Sequence, residues 1–188
     1  MSDPIHVTLP GDAGSLRSLK AGTEVLLSGR VFTARDATHI RIVAELGETG
    51  RLPYDLAGET LFYAGPTPPA AGRPAGAVGP TTAARMDAWT PALLKAGIVA
   101  TIGKGARGDS VRTACMMHGA VYLAAVGGAA ALLATHVVGA ETIAYPELGT
   151  EALVRLELDR LPVWVAIDVW GHDLYALARQ SSAEEMSP

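Results

Sequence analysis

The chain has one cysteine, Cys115, among 188 residues. No internal disulfide can form, and no iron–sulfur cluster can be held by this chain alone, because such a cluster needs three or four thiolates. Charge is scarce as well. Only 18% of residues are charged, against about 25% in an ordinary globular chain, and the formal net charge is −4. That balance leaves no cationic excess for a phosphate backbone or an anionic bilayer, so neither nucleic acid nor a membrane is an expected partner. The first residues, MSDPIHVTLPGD, lack the basic segment and apolar run of a secretory signal. A cytoplasmic location is the expectation.

What is present is apolar. Hydrophobic residues make up 49% of the chain, which excludes disorder as the main state. One core suffices at this length, since single cores keep growing to about 250–300 residues. The chain reads as one domain over residues 1–188, with a short polar tail at 180–188 expected to be flexible. From Arg112 to Glu141 no Asp, Glu, Lys or Arg intervenes, long enough to cross a bilayer. Its content is mostly Ala, Gly, Thr and Val, broken by His118, Gly127-Gly128 and His136, and such residues offer little transfer energy. A buried strand, turn, helix and strand is the expectation there.

The 21 glycines and 12 prolines cluster between short apolar runs, so the chain turns often. EVLLSGRVFTA (24–34) reads as a strand with a bulge at Gly29, and Asp36 is placed to cap the helix that follows. TLFYAG (60–65) is a strand running into an irregular Pro/Gly loop at 66–80. Two helical pieces meet at Thr90-Pro91, IVATIG is a strand, and Asp109 caps the next helix. ALVRLELD and VWVAIDVW read as two strands separated by Leu161-Pro162. Strands and helices mixed in this way give an α/β or α+β class.

Three loop junctions carry cations: FTARD (32–36), GPTTAARMD (79–87) and IGKGARG (102–108). Each sets Arg35, Arg85, Lys104 or Arg107 beside flexible backbone at a strand end or helix start, where free amides favour an anion. Taken singly, such side chains are more often solvated surface charges. A phosphate-binding loop fails, because Ile98 stands where its first glycine belongs and Gly105 replaces its Ser or Thr. Gly103, Gly105 and Gly108 fit a dinucleotide fingerprint, but the acidic residue that should follow is missing. The five histidines lack zinc-ligand spacing, and Cys115 reads as a buried, inert thiol. Asp168 with Asp173, and Glu147 with Glu151, read as caps and surface charges rather than acid–base pairs.

GPTTAARMD, IGKG, FTARDATH, YAGP (63–66), VYLAAVGGAAAL and an E-x-G-x-E-A segment before the last strands together resemble the β subunit of the iron–sulfur hydro-lyases. These are the two-subunit class I fumarases and L(+)-tartrate dehydratases, whose β subunit corresponds to the C-terminal domain of single-chain fumarases. The resemblance runs from about residue 6 to about residue 178. It implies a swivelling β/β/α domain, a mixed sheet with flanking helices. It also implies docking on an α subunit that carries a four-iron four-sulfur cluster, in an α2β2-type assembly. The reaction implied is addition or removal of water at a C4-type dicarboxylate. Arg35, Arg85 and Lys104 would grip its carboxylates, the arginines as bidentate forks and the lysine as a point charge. Thr81 corresponds to the residue proposed in the family to move the proton at the substrate carbon, with a hydrogen-bonding positioner as the rival role. Two other readings stand beside this one. The first is a stand-alone carboxylate-binding or regulatory module; the second is a small enzyme acting covalently through Lys104 or Cys115.

Overall fold

The structure, a computed structural model, describes residues 3–185. In chain order come β1 (Ile5–Leu9), β2 (Glu24–Thr33), α1 (Asp36–Thr49), β3 (Thr60–Phe62), α2 (Thr90–Lys95), β4 (Ala100–Gly103) and α3 (Asp109–His118). There follow β5 (Val121–Ala124), α4 (Ala130–Leu133), β6 (Val137–Ala144), β7 (Leu153–Ile167) and α5 (Leu174–Glu185). Four 3-10 turns, at 13–18, 83–86, 134–136 and 146–151, complete the described residues.

The class is α/β, with one mixed seven-stranded sheet in the order β1-β2-β3-β4-β5-β7-β6. Strands β2 to β5 pair parallel to one another, as strand–crossover–strand units do. Strand β7 runs antiparallel to both β5 and β2, so β2, β3, β4, β5 and β7 close into a ring. Closure removes the free edges that a five-stranded sheet would otherwise expose.

Period-two alternation then makes two cores. Along β3, Phe62 faces a core built with strand residues Val25, Leu27, Ile102, Leu123, Leu158 and Val163. Leu61 faces the opposite core, shared with Ile42 of α1, Leu93 of α2 and Val111 and Cys115 of α3. Strand β5 alternates in the same way, Val121 and Leu123 to one side and Tyr122 and Ala124 to the other. Strands buried on both faces read as continuous apolar runs, and β5 is one, but the rest of the uncharged stretch after Arg112 is not buried as expected: Leu132 of α4 and Val138 of β6 are exposed, and β6 buries only its end residues. No helix among the described residues is long and apolar enough to cross a membrane.

Two local expectations change. Leu161-Pro162 does not divide two strands: β7 continues through it for 15 residues. Pro162 lies between the stretch of β7 paired with β6 and the stretch paired with β5, where only β2 flanks the strand. A residue without an N–H donor is accommodated at such a gap. Asp36 and Asp109 are the first residues of their helices, with Arg35 and Gly108 at the N-cap positions. Helix α5 ends at Glu185, and residues 186–188, the last of the expected tail, lie outside the described ones.

The bulge expected at Gly29 is present: the register of β2 on β7 slips between Leu27 and Gly29. Gly29 has φ of 85°, and a Cβ there would stand 2.1 Å from the Leu9 carbonyl oxygen. Gly47, inside α1, would meet nothing within 4 Å. Gly29→Ala is therefore expected to destabilise by at least about 2 kcal/mol, whereas Gly47→Ala should stabilise by about 0.5–1 kcal/mol. Urea midpoints of the two variants, moving in opposite directions, check this pair.

Candidate active site

Because β2 to β5 are parallel, their carboxyl ends gather at one end of the sheet, the place where open α/β folds collect ligand-binding loops. Strand β2 delivers Arg35 there, and β4 delivers Lys104. The GPTT segment lies between the ends of β3 and β4. Thr81 N donates to the Tyr63 carbonyl at 2.6 Å, Lys104 N donates to the Thr81 carbonyl at 3.2 Å, and Ala83 N donates to the Lys104 carbonyl at 2.9 Å. Thr81 and Lys104 are thus fixed to one another by backbone. The following 3-10 turn carries Arg85, whose Nε donates to Asp36 Oδ1 at 3.1 Å. Its Nη2 stands 2.9 Å from Oδ2, an ion pair without hydrogen-bond geometry.

Arg35 packs against Gly65, where a Cβ would come within 3.1 Å of the guanidinium and 2.7 Å of the Thr150 carbonyl. Only glycine permits that close approach. Arg35 Nη2 pairs with Glu151 Oε1 at 3.3 Å, while its Nε is buried and has no hydrogen-bond partner among the described residues. Glu151 Oε2 accepts Ala37 N–H at 2.8 Å in the first turn of α1. The cationic end is consequently less positive than the sequence suggested: Arg35 and Arg85 each already face a carboxylate, and Lys104 has no ion pair among the described residues. Three cations and two carboxylates leave one net positive charge.

An open cleft of about 530 Å³ is lined by Lys104, Thr82, Gly105, Val126, Trp164 and Tyr175, among others. Arg35, Arg85 and Thr81 do not line it, although they stand at the same end of the sheet. The Thr81 hydroxyl has no hydrogen-bond partner among the described residues, so nothing there activates it as a base.

Arg107 is the expected cation that the structure places elsewhere. Its side chain is fully buried between the Tyr63 and Tyr122 rings, 5.3 and 4.8 Å from their centroids. Nε donates to Asp87 Oδ1 at 2.6 Å and Nη2 to Thr90 Oγ1 at 2.7 Å. Asp87 Oδ2 also accepts Gly108 N–H at 2.7 Å, at the start of α3. Burial works against the guanidinium charge, but Tyr63, Asp87 and Tyr122 outweigh it and hold the pKa above its usual value. Thr90 joins this network rather than capping α2.

His39 is buried beside the network, edge-on to Tyr63 at 5.1 Å, and donates from Nδ1 to the Arg35 carbonyl at 2.8 Å. Burial is the largest influence and lowers its pKa to about 4. Cys115 is buried too, its thiol pushed up to about 12 by desolvation, which removes it as a nucleophile. Sequence reasoning missed the pairing of Glu151 with Arg35 and of Asp36 with Arg85, and it overlooked Tyr175. The E-x-G-x-E-A segment and the aspartate after Arg35 were the available signals.

Residues 3–178 match the family described as Fumarase C-terminus. The chain belongs to that family. It is 32% identical to the L(+)-tartrate dehydratase subunit beta of Escherichia coli strain K12, over 97% of this chain and 92% of that protein. It is 37% identical to the anaerobic class I fumarate hydratase of the same strain, and 36% to fumarate hydratase 2 of Leishmania major. These matches cover 85% and 86% of this chain but 30% and 29% of those proteins, so it spans about three tenths of their length.

Two outcomes follow for stability. Arg107→Met leaves Asp87 unpaired and should cost about 3–5 kcal/mol, measured by denaturant unfolding. The His39 pKa is about 4 folded against 6.5 unfolded, so its neutral form contributes fully above pH 6.5 and that stability is lost as pH falls toward 4. The loss should reach about 3 kcal/mol, and His39→Phe should flatten the profile across that window.

Proposed function

We propose that this chain is the β subunit of a two-subunit hydro-lyase that adds or removes water at a C4-type dicarboxylate, fumarate/malate or tartrate/oxaloacetate. One observation carries the reading. Arg35, Thr81, Arg85 and Lys104 stand on successive loops at one end of the sheet, in a chain collinear with a tartrate dehydratase β subunit. Near-complete coverage of that subunit also disfavours a stand-alone module.

The cluster that the resemblance implies does not fit this chain. The single cysteine is buried, and no group of three or more His, Cys, Asp or Glu residues among the described ones could hold a metal. A companion α subunit would hold it, in a cytoplasmic α2β2-type assembly, and would supply Lewis-acid chemistry there. This chain supplies the carboxylate grip. Lys104 offers an ammonium at the cleft and Arg35 a buried Nε–H, both without a partner among the described residues. Arg85 turns from Asp36 to the substrate, or shares it, through its remaining donors. Thr81 orients the substrate through its hydroxyl, and acts as a base only where the companion supplies a group to take its proton.

In the reconstituted pair, Arg85→Ala and Lys104→Ala should each lower kcat/KM for the dicarboxylate by roughly 10- to 100-fold, the worth of one charge-assisted hydrogen bond. Steady-state kinetics against fumarate, malate and tartrate under anaerobic conditions check this. Turnover unchanged in both variants contradicts the reading.

A further inference from the structure

We infer that Tyr175, at the start of α5, is a positioning residue that holds the Lys104 loop in its working place. The inference rests on the proposed role of Lys104 as a carboxylate grip. Gly105, the residue after Lys104, is held from both sides by tyrosine hydroxyls. Its N–H donates to Tyr175 Oη at 3.1 Å, and its carbonyl accepts from Tyr122 Oη at 2.8 Å. Tyr122 belongs to the buried face of β5 and is fixed by the fold. Tyr175 comes from outside the sheet and lines the same cleft as Lys104, whose stem lies against Gly127.

A clamp works only if its own base is rigid, and the base of α5 is tied down twice. Asp168, fully buried, accepts the N–H groups of Ala21, Trp170 and His172 and the Nδ1–H of His172, at 2.8–3.0 Å. Asp173 then accepts Tyr175 N–H at 2.8 Å and Ala176 N–H at 3.4 Å, capping the helix. The turn from β7 into α5 therefore projects Tyr175 to a set position over Gly105. Without that hydroxyl, Gly105, whose φ is +83°, keeps only its carbonyl anchor, and the ammonium beside it loses its defined approach to a ligand.

The test uses the reconstituted two-subunit enzyme with Tyr175→Phe, which removes only the hydroxyl. KM for the dicarboxylate should rise about fivefold, the worth of one neutral hydrogen bond, with kcat changed less than about twofold. In a Lys104→Met background the same substitution should change KM less than about 1.5-fold, because its route of action is gone. Amide exchange of the segment 103–107 in the intact complex should quicken in Tyr175→Phe at an unchanged melting temperature. An equal KM effect in both backgrounds, or unchanged exchange at 103–107, overturns the inference. Lys104→Met with wild-type KM overturns the carboxylate reading itself, and the inference falls with it as a statement about function. The exchange result separates that failure from the absence of a clamp.

Discussion

The buried ion pair between Arg107 and Asp87 sets the spacing of the two loops on which everything at the cationic end depends. Asp87 closes the GPTTAARMD segment and Arg107 sits in the IGKGARG turn, so one contact of 2.6 Å ties the loop of Thr81 and Arg85 to the loop of Lys104. Two tyrosine rings flank it, and Thr90 and Thr101 each take one further guanidinium donor. Breaking such a pair costs about 3–5 kcal/mol, against a total stability of about 5–15 kcal/mol for a domain. Among the motif cations burial therefore separates roles: Arg107, fully buried, holds the frame through Asp87, and Arg35, Arg85 and Lys104 keep part of their surface open.

The frame also explains why the cationic end is not simply positive. Asp36 and Glu151 stand beside Arg85 and Arg35, and Glu151 ties the first turn of α1 to the segment that leads into β7. Carboxylates in these places orient the guanidinium forks and offset part of their positive charge. A dicarboxylate entering here would compete with side chains of its own chemistry, so affinity depends on geometry more than on net charge. Lys104, in the cleft and without an ion pair among the described residues, is the exception.

Much of this was legible in the chain itself, and the limits have physical causes. The α/β class, the bulge at Gly29, the cation-bearing loops and the inert Cys115 follow from local composition, turn chemistry and motif. Closure of the ring did not, because β7 pairs with β2 across most of the chain and register over such a distance leaves no local mark. Pro162 misled for a related reason: proline signals a break unless a gap in the partner strands accommodates it. Arg107 looked like its neighbour Lys104 because sequence gives spacing, not burial. The partners of Arg35, Arg85 and Gly105 were hidden by their long sequence separations.

The central claim is that Arg35, Arg85 and Lys104 form the carboxylate-binding half of a site shared with a companion subunit. A crystal structure of the reconstituted complex with a bound C4 dicarboxylate tests it most directly. The account predicts one carboxylate within hydrogen-bond reach of Lys104 Nζ, the other held by Arg35 or Arg85, and Thr81 Oγ1 beside the substrate carbons. A dicarboxylate bound in the complex with none of these side chains touching it would contradict the account.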